Sequence, residues 1–171
     1  TEVARYFARH GGRGVARVVL VGTITPCLVE RAANPGGTVP APPAAGADLL
    51  TRDFPAWIAA NTKPFFIPET SAAMVAWGQA MMMATSLLAA AQLAQANFTT
   101  DFRADVRKIS VPTRIIHGDR DASAPLALTA RATAALLPQA TLSIYEGAPH
   151  GLPLTHVERL NAELLDFLKT A

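Results

Sequence analysis

Two short segments of the 171-residue chain combine side chains suited to acid–base chemistry with backbones built to display them. The first is Ile116-His117-Gly118-Asp119-Arg120-Asp121-Ala122-Ser123-Ala124-Pro125. Gly118 permits a sharp exit from an apolar run, Asp119 suits a turn, and Pro125 suits the first turn of a helix. Asp121 is left without a local task. The second is Glu146-Gly147-Ala148-Pro149-His150-Gly151-Leu152, in which Pro149 fixes the backbone on one side of His150 and Gly151 admits close approach on the other. A carboxylate that accepts the Nδ1–H of an imidazole holds one tautomer, stabilises the imidazolium and leaves Nε2 to take a proton from a nucleophile. Asp121 and His150 are candidates for such a pair. The competing reading makes Asp121 a helix cap and His150 a turn residue, and these two residues alone do not decide between them.

For the pair to meet, both loops must leave neighbouring strands at one end of a sheet. The sequence after Asp101 carries the required rhythm: a strand over 111–117, a helix over 124–137, a strand over 141–145 and an amphipathic helix over 154–169. Strand and helix alternating through short links predict a parallel α/β sheet, whose functional groups gather on loops at the carboxyl ends of the strands. Nearer the start, Val3, Tyr6 and Phe7 recur at helical spacing within 2–10, and Gly11-Gly12 supplies the C-cap. Arg5, Arg9, Arg13 and Arg17 read as a solvated face. The unbroken run Val18-Val19-Leu20-Val21 predicts a strand buried on both faces, ended by Thr23, Thr25 and Pro26. A Pro- and Gly-rich stretch over 34–47 predicts a loop or hinge. Helices follow over 48–61, 69–81 and 82–97; Pro64 and Pro68 separate the first two, and the last two can also run on as one through Gly78. The chain therefore divides into 1–24, a helical insert over 25–100, and 101–171 with the candidate acid and base.

Composition narrows the function classes. Half the residues are apolar and 16% charged, which argues against disorder, and 34 are alanine, which favours helix. The length suits one domain, able to bury roughly 70% of its extended surface. A net charge of +2 with the arginines scattered along the chain offers no footprint for nucleic acid. No apolar run reaches the ~18 residues that a membrane span needs. The single cysteine, Cys27, excludes an intramolecular disulfide and reads as a buried small hydrophobe. The four histidines show no metal-ligand spacing, so neither metal nor other cofactor is expected; His117 reads as structural, and His10 and His156 as helix-surface residues. The chain opens on Thr1-Glu2-Val3, inside a helix and without Met or signal peptide, and is expected to be a piece of something longer. The cytoplasm is the default compartment.

Taken together, H-G-D-x-D-x-x-x-P and G-x-P-H-G, with 29 residues from Asp121 to His150, resemble the α/β-hydrolase superfamily. More narrowly they resemble its non-haem haloperoxidase and aryl-esterase branch. Thr1 to Gly11 resembles the helix that follows the nucleophile elbow in that branch, and Asn97 to Val106 the segment that leads from the lid back into the sheet. The resemblance implies the C-terminal part of an α/β-hydrolase fold: the last three parallel strands with flanking helices, carrying a helical lid insertion. It implies a cofactor-free serine hydrolase of small or aryl carboxylic esters, working through an acyl-enzyme, with His150 as general base and Asp121 orienting it. It also implies a perhydrolase or haloperoxidase side activity, in which peroxide replaces water. Rival chemistries on the same fold are C–C bond hydrolysis, dehalogenation and epoxide hydrolysis; a non-catalytic ligand-binding module is the rival of another class.

The family's G-x-S-x-G elbow does not occur in this sequence, and none of Ser71, Ser86, Ser110, Ser123 and Ser143 is flanked by glycines on a strand-to-helix turn. The elbow and the oxyanion hole are expected upstream of Thr1, in the same protein or a companion chain. Alone, this chain is expected to be inactive and not stably folded, with one sheet edge exposed; homo-oligomerisation is left open. Met74, Trp77 and Met81 fall near one helical face, with Trp57 close in sequence. They read as core, or as the roof of an apolar acyl or aryl pocket that Thr23, Ile24 and Leu152 also line.

Overall fold

The structure, a computed structural model, describes residues 1–28 and 45–169. Most of the loop expected over 34–47 lies outside those residues, and its last part, 45–47, opens a helix instead. The central element is a sheet of three parallel strands in the order β1 (Val18–Val21), β2 (Thr113–Gly118), β3 (Ala140–Tyr145). Val18 pairs with Thr113 and Val21 with Ile116; Thr113 pairs with Ala140 and Gly118 with Tyr145. Gly22 extends the ladder by donating its N–H to the Ile116 carbonyl at 3.0 Å.

Successive side chains of a strand point to opposite faces, and both faces here are covered. Val18, Leu20 and Ile115 join Ala4, Phe7, Phe102, Val106, Ile109, Ala130 and Leu137 in one core cluster. Ile116 joins Tyr145, Ala148, Leu152 and Leu160 in the other, with Val19 and Val21 packed against it. The first core lies under α1 (Glu2–His10), whose Arg5 pairs with Asp105 at 3.1 Å. Gly11 ends α1 in the left-handed conformation at φ 63°, the C-cap that the sequence predicts.

Between β1 and β2 lie α2 (Ala45–Arg52), α3 (Phe54–Thr62), a 3-10 turn (Lys63–Phe65), α4 (Ala72–Met83), α5 (Leu87–Thr99) and the short α6 (Arg103–Val106). The single helix expected over 48–61 is broken at Asp53, whose carboxylate caps the Ala56 N–H at 2.9 Å while Pro55 enters the new first turn without a donor. The helices expected over 69–81 and 82–97 do not run on as one either: α4 passes through Gly78 but ends at Met83. α4 and α5 meet at a 92° bend, because Ser86 caps the Ala89 N–H and restarts the helix. Among the described residues no single helix is long and apolar enough to cross a membrane.

After β2 the helix expected over 124–137 is reduced to α7 (Ala130–Leu136). The reason is local: the Ala124 carbonyl, which an early helical turn would have used, is taken by the Thr129 hydroxyl at 3.1 Å and by His117 Nε2 at 2.7 Å. After β3 come α8 (Leu152–Thr155) and α9 (Val157–Lys169), broken at His156 where the sequence predicts one helix. Glu163 latches α9 to the sheet: Oε1 pairs with Arg114 at 2.9 Å, and Oε2 accepts from Ser143 at 3.1 Å and Tyr145 at 2.9 Å. Burial, followed by the bond to Glu163, pushes the Tyr145 phenol up to about 12, so it stays a donor.

Candidate active site

Because β2 and β3 are parallel neighbours, their carboxyl ends release the Gly118–Pro125 and Glu146–Gly151 loops side by side. The loops are then bonded to each other. Asp119 donates its N–H to the Tyr145 carbonyl and Arg120 to the Ala148 carbonyl, both at 3.1 Å, while the Asp119 carboxylate accepts the Gly147 N–H at 2.7 Å. Gly118 has no alternative: a Cβ there would lie 2.1 Å from the Ala148 oxygen. The approach of the two loops therefore depends on one missing side chain and three directional bonds.

That register brings Asp121 to His150. Asp121 Oδ2 lies 2.7 Å from His150 Nδ1, and Oδ1 accepts the Ala124 N–H at 2.7 Å. Asp121 caps no helix, since α7 begins only at Ala130; one oxygen closes a turn and the other meets the imidazole. The Asp121 side chain is 0% exposed and that of His150 25%, so the carboxylate is dry while the ring keeps access to solvent. A carboxylate accepts, so Nδ1 carries the proton and Nε2 presents its lone pair. The ring is confined on its other sides. Phe65 packs edge-on with centroids 5.4 Å apart, and its carbonyl accepts the Gly151 N–H at 3.0 Å. Gly22, at φ 54°, leaves room that a Cβ would take up 3.2 Å from His150 Nδ1 and Cε1.

Three further residues surround this pair. His117, read as structural, is fully buried with Nε2 3.3 Å from Asp121 Oδ2. Phe65 and Gly22 were not singled out by the sequence, although a glycine at the carboxyl end of a buried strand is itself a signal of close approach. The serines with described bonds are occupied elsewhere: Ser71 and Ser86 cap helices and Ser143 donates to Glu163.

The pocket candidates separate into groups. Thr23 and Ile24 line one cavity of about 300 Å³ with Thr1, Val21, Leu93 and Asn97. Thr23 is buried, and its hydroxyl belongs to a chain of three. The Thr133 hydroxyl donates to the Thr25 carbonyl at 2.7 Å, so it accepts from the Thr25 hydroxyl at 3.0 Å, which in turn accepts from Thr23 at 2.7 Å. The Thr23 oxygen then accepts the Thr25 N–H at 3.2 Å. Leu152 is fully buried in the second core cluster, behind His150 rather than beside that cavity. Trp57 is half-buried and stacks on Phe54, Met74 is half-buried, and Trp77 and Met81 are exposed. None of these four lines the cavity that holds Thr23 and Ile24.

No family model matches the chain. It is 34% identical over 178 residues to a non-heme haloperoxidase of Rhodococcus erythropolis, covering 99% of this chain and 64% of that protein. It is 31% identical over 186 residues to a bifunctional esterase/perhydrolase of Acinetobacter calcoaceticus, covering 99% of this chain and 63% of that one. A solved bromoperoxidase from Bacillus anthracis superposes with a TM-score of 0.91 at 31% identity, covering 99% of this chain and 63% of that one. Fold and relatives together place the chain in the α/β-hydrolase superfamily, and what it holds is consistent with a C-terminal portion of that fold. Within the superfamily its relatives are non-haem haloperoxidases and esterases, and it spans less than two thirds of their length.

Proposed function

We propose that the complete protein is a serine hydrolase of small or aryl carboxylic esters, with His150 as general base and Asp121 as the carboxylate that orients it. The observation that carries this reading is the 2.7 Å bond from His150 Nδ1 to an Asp121 side chain with no exposed surface. In a dry setting that bond fixes the tautomer and stabilises the imidazolium when it forms. A serine supplied upstream of Thr1 would attack the ester carbonyl carbon while its proton passes to His150 Nε2. That proton then leaves on the departing alcohol, and the acyl group stays on the serine. Water, deprotonated by the same Nε2, attacks the acyl carbon and releases the acid. The lid over 25–100 would cover the acyl or aryl group, with Thr23, Ile24, Trp57, Met74, Trp77, Met81 and Leu152 as the residues tested for it.

The relative named an esterase/perhydrolase favours a second outcome of the same intermediate. Hydrogen peroxide attacking in place of water would release a peracid, which oxidises bromide to hypobromous acid and is itself reduced to the carboxylic acid. An aspartate at the elbow would instead mark a dehalogenase or epoxide hydrolase, which the upstream residues distinguish directly.

The test is an intact mass and a p-nitrophenyl acetate assay with His150→Ala as control. A species near 18.0 kDa without turnover above the control is the result expected of this chain alone. A heavier species, or a second chain, with His150-dependent turnover is the result expected of the complete enzyme. Turnover that survives His150→Ala would overturn the reading.

A further inference from the structure

A second imidazole lies against the Asp121 carboxylate. His117, near the end of β2, is fully buried, with Nε2 2.7 Å from the Ala124 carbonyl oxygen and 3.3 Å from Asp121 Oδ2. Both neighbours are acceptors, so Nε2 carries the proton. Nδ1 has no hydrogen-bond partner among the described residues, which suits an uncharged lone pair better than a second N–H. Burial foremost, and His150 nearby, lower the pKa of the imidazole, while the Ala124 carbonyl and Asp121 pull the other way. Burial favours the neutral form of His117, a donor in the tautomer opposite to the one that His150 adopts.

We propose that His117 is a positioning residue of the site: its Nε2–H holds the Ala124 carbonyl, and with it the turn whose Ala124 N–H anchors Asp121 Oδ1 while His150 gains and loses its proton. This rests on the acid and base roles given above. Two donors hold the carboxylate, the Ala124 N–H on Oδ1 and His150 Nδ1–H on Oδ2, and His117 Nε2 lies 3.3 Å from Oδ2. Without His117 the turn that presents the Ala124 N–H would lose a tie to β2, and the carboxylate would turn more freely away from His150. The polar N–H edge of His117 beside Oδ2 also tempers how strongly the carboxylate holds the His150 cation. Through the Ala124 carbonyl the same N–H ties the far end of the turn to the strand it left.

The experiment compares His117→Phe, which keeps volume and removes the donor, with His117→Gln, whose amide restores an N–H near the position of Nε2. In the complete enzyme His117→Phe is expected to lower kcat about tenfold at unchanged KM and to move the acid limb of the pH–rate profile to higher pH. His117→Gln is expected to recover most of both. The low-field proton resonance of His150 Nδ1–H should move in the Phe variant and return in the Gln variant. A folded His117→Phe protein with wild-type kcat, pH profile and resonance would overturn the proposal. Should that variant not fold, 15N chemical shifts of wild-type His117 decide: a proton on Nε2 alone supports it, and one on Nδ1 overturns it. A wild-type protein without ester turnover would sink the hydrolase reading instead, while the His150 resonance still tests the role of His117.

Discussion

The two loops that carry Asp121 and His150 and the helical segment from α2 to α5 meet at Phe65, but they are held in different ways. The loops are held by bonds between distant parts of the chain: Asp119 to Gly147 spans 28 residues and Asp121 to His150 spans 29. The described side-chain bonds of the helical segment are mostly local, within one helix or at its cap, such as Thr62 to Ile58, Asn61 to Trp57 and Ser71 to Met74. Gln79 to Thr62 at 3.0 Å is a longer one. Its surface also keeps large apolar groups in water, with Leu88 67% and Trp77 51% exposed. Directional bonds across the chain fix a distance to a few tenths of an ångström, whereas local caps and apolar contacts fix only approximate shape. In the hydrolase proposed above, the loops would set the rate and the helical segment would set which acyl or aryl group is accepted.

The comparison can be broken at four points. Asp121→Asn should lower kcat of the complete enzyme about 10⁴-fold while the fold survives, as when an orienting carboxylate is replaced in a serine-protease triad. A loss under tenfold, measured with p-nitrophenyl acetate, would remove Asp121 from the site. Gly118→Ala forces a Cβ against the Ala148 carbonyl, a backbone atom that no rotamer change can move. It should cost about 1–3 kcal/mol, the usual range for overpacking, and lower kcat together with the melting temperature. A melting temperature that holds would mean the loops are not held at this approach.

Acid should weaken the loop region through His117. Its pKa in the folded protein lies below the ordinary 6.5, so the unfolded chain binds a proton that the folded imidazole refuses. The stabilisation from this group is full above pH 6.5 and is lost as the pH falls below it. Thermal melts across pH 4–8 should show that slope, and His117→Gln should flatten it. The smallest effect belongs to the lid: Trp77→Ala should change stability by less than ~0.5 kcal/mol, as at most exposed sites, and leave kcat for the acetate unchanged. It should alter KM for bulkier aryl esters severalfold. A changed kcat for the acetate would join the two regions that the comparison separates.

The strands were legible because short unbroken apolar runs such as Val18 to Val21, bounded by turn residues, fit the interior of a sheet, although Val19 and Val21 are only partly buried. The two loops were legible because Gly118, Pro149 and Gly151 mark them and because the acid and base carry their own chemistry. What escaped the sequence was decided by side-chain bonds and contacts that no periodic pattern encodes. The helix over 124–137 lost its first turns to His117 and Thr129, whose bonds to Ala124 no local pattern announces. The roles of Gly22 and Phe65 exist only because His150 folds between them. The breaks at Asp53 and Ser86 are a different case: both are ordinary N-cap residues, and reading the caps before the apolar spacing would have found them.

The three hydroxyls of Thr23, Thr25 and Thr133 run in one direction, each giving its proton to the next until a carbonyl accepts it. Such an ordered chain makes the three positions epistatic. Valine at any one of them strands a donor or an acceptor on its neighbour, so the harm of each substitution depends on which residues already stand at the other two. A drifting sequence that loses one threonine has lost much of the reason to keep the others. Thr23 and Thr25 beside Gly22 and Thr133 in α7 should therefore be exchanged as a block, for all apolar residues or not at all.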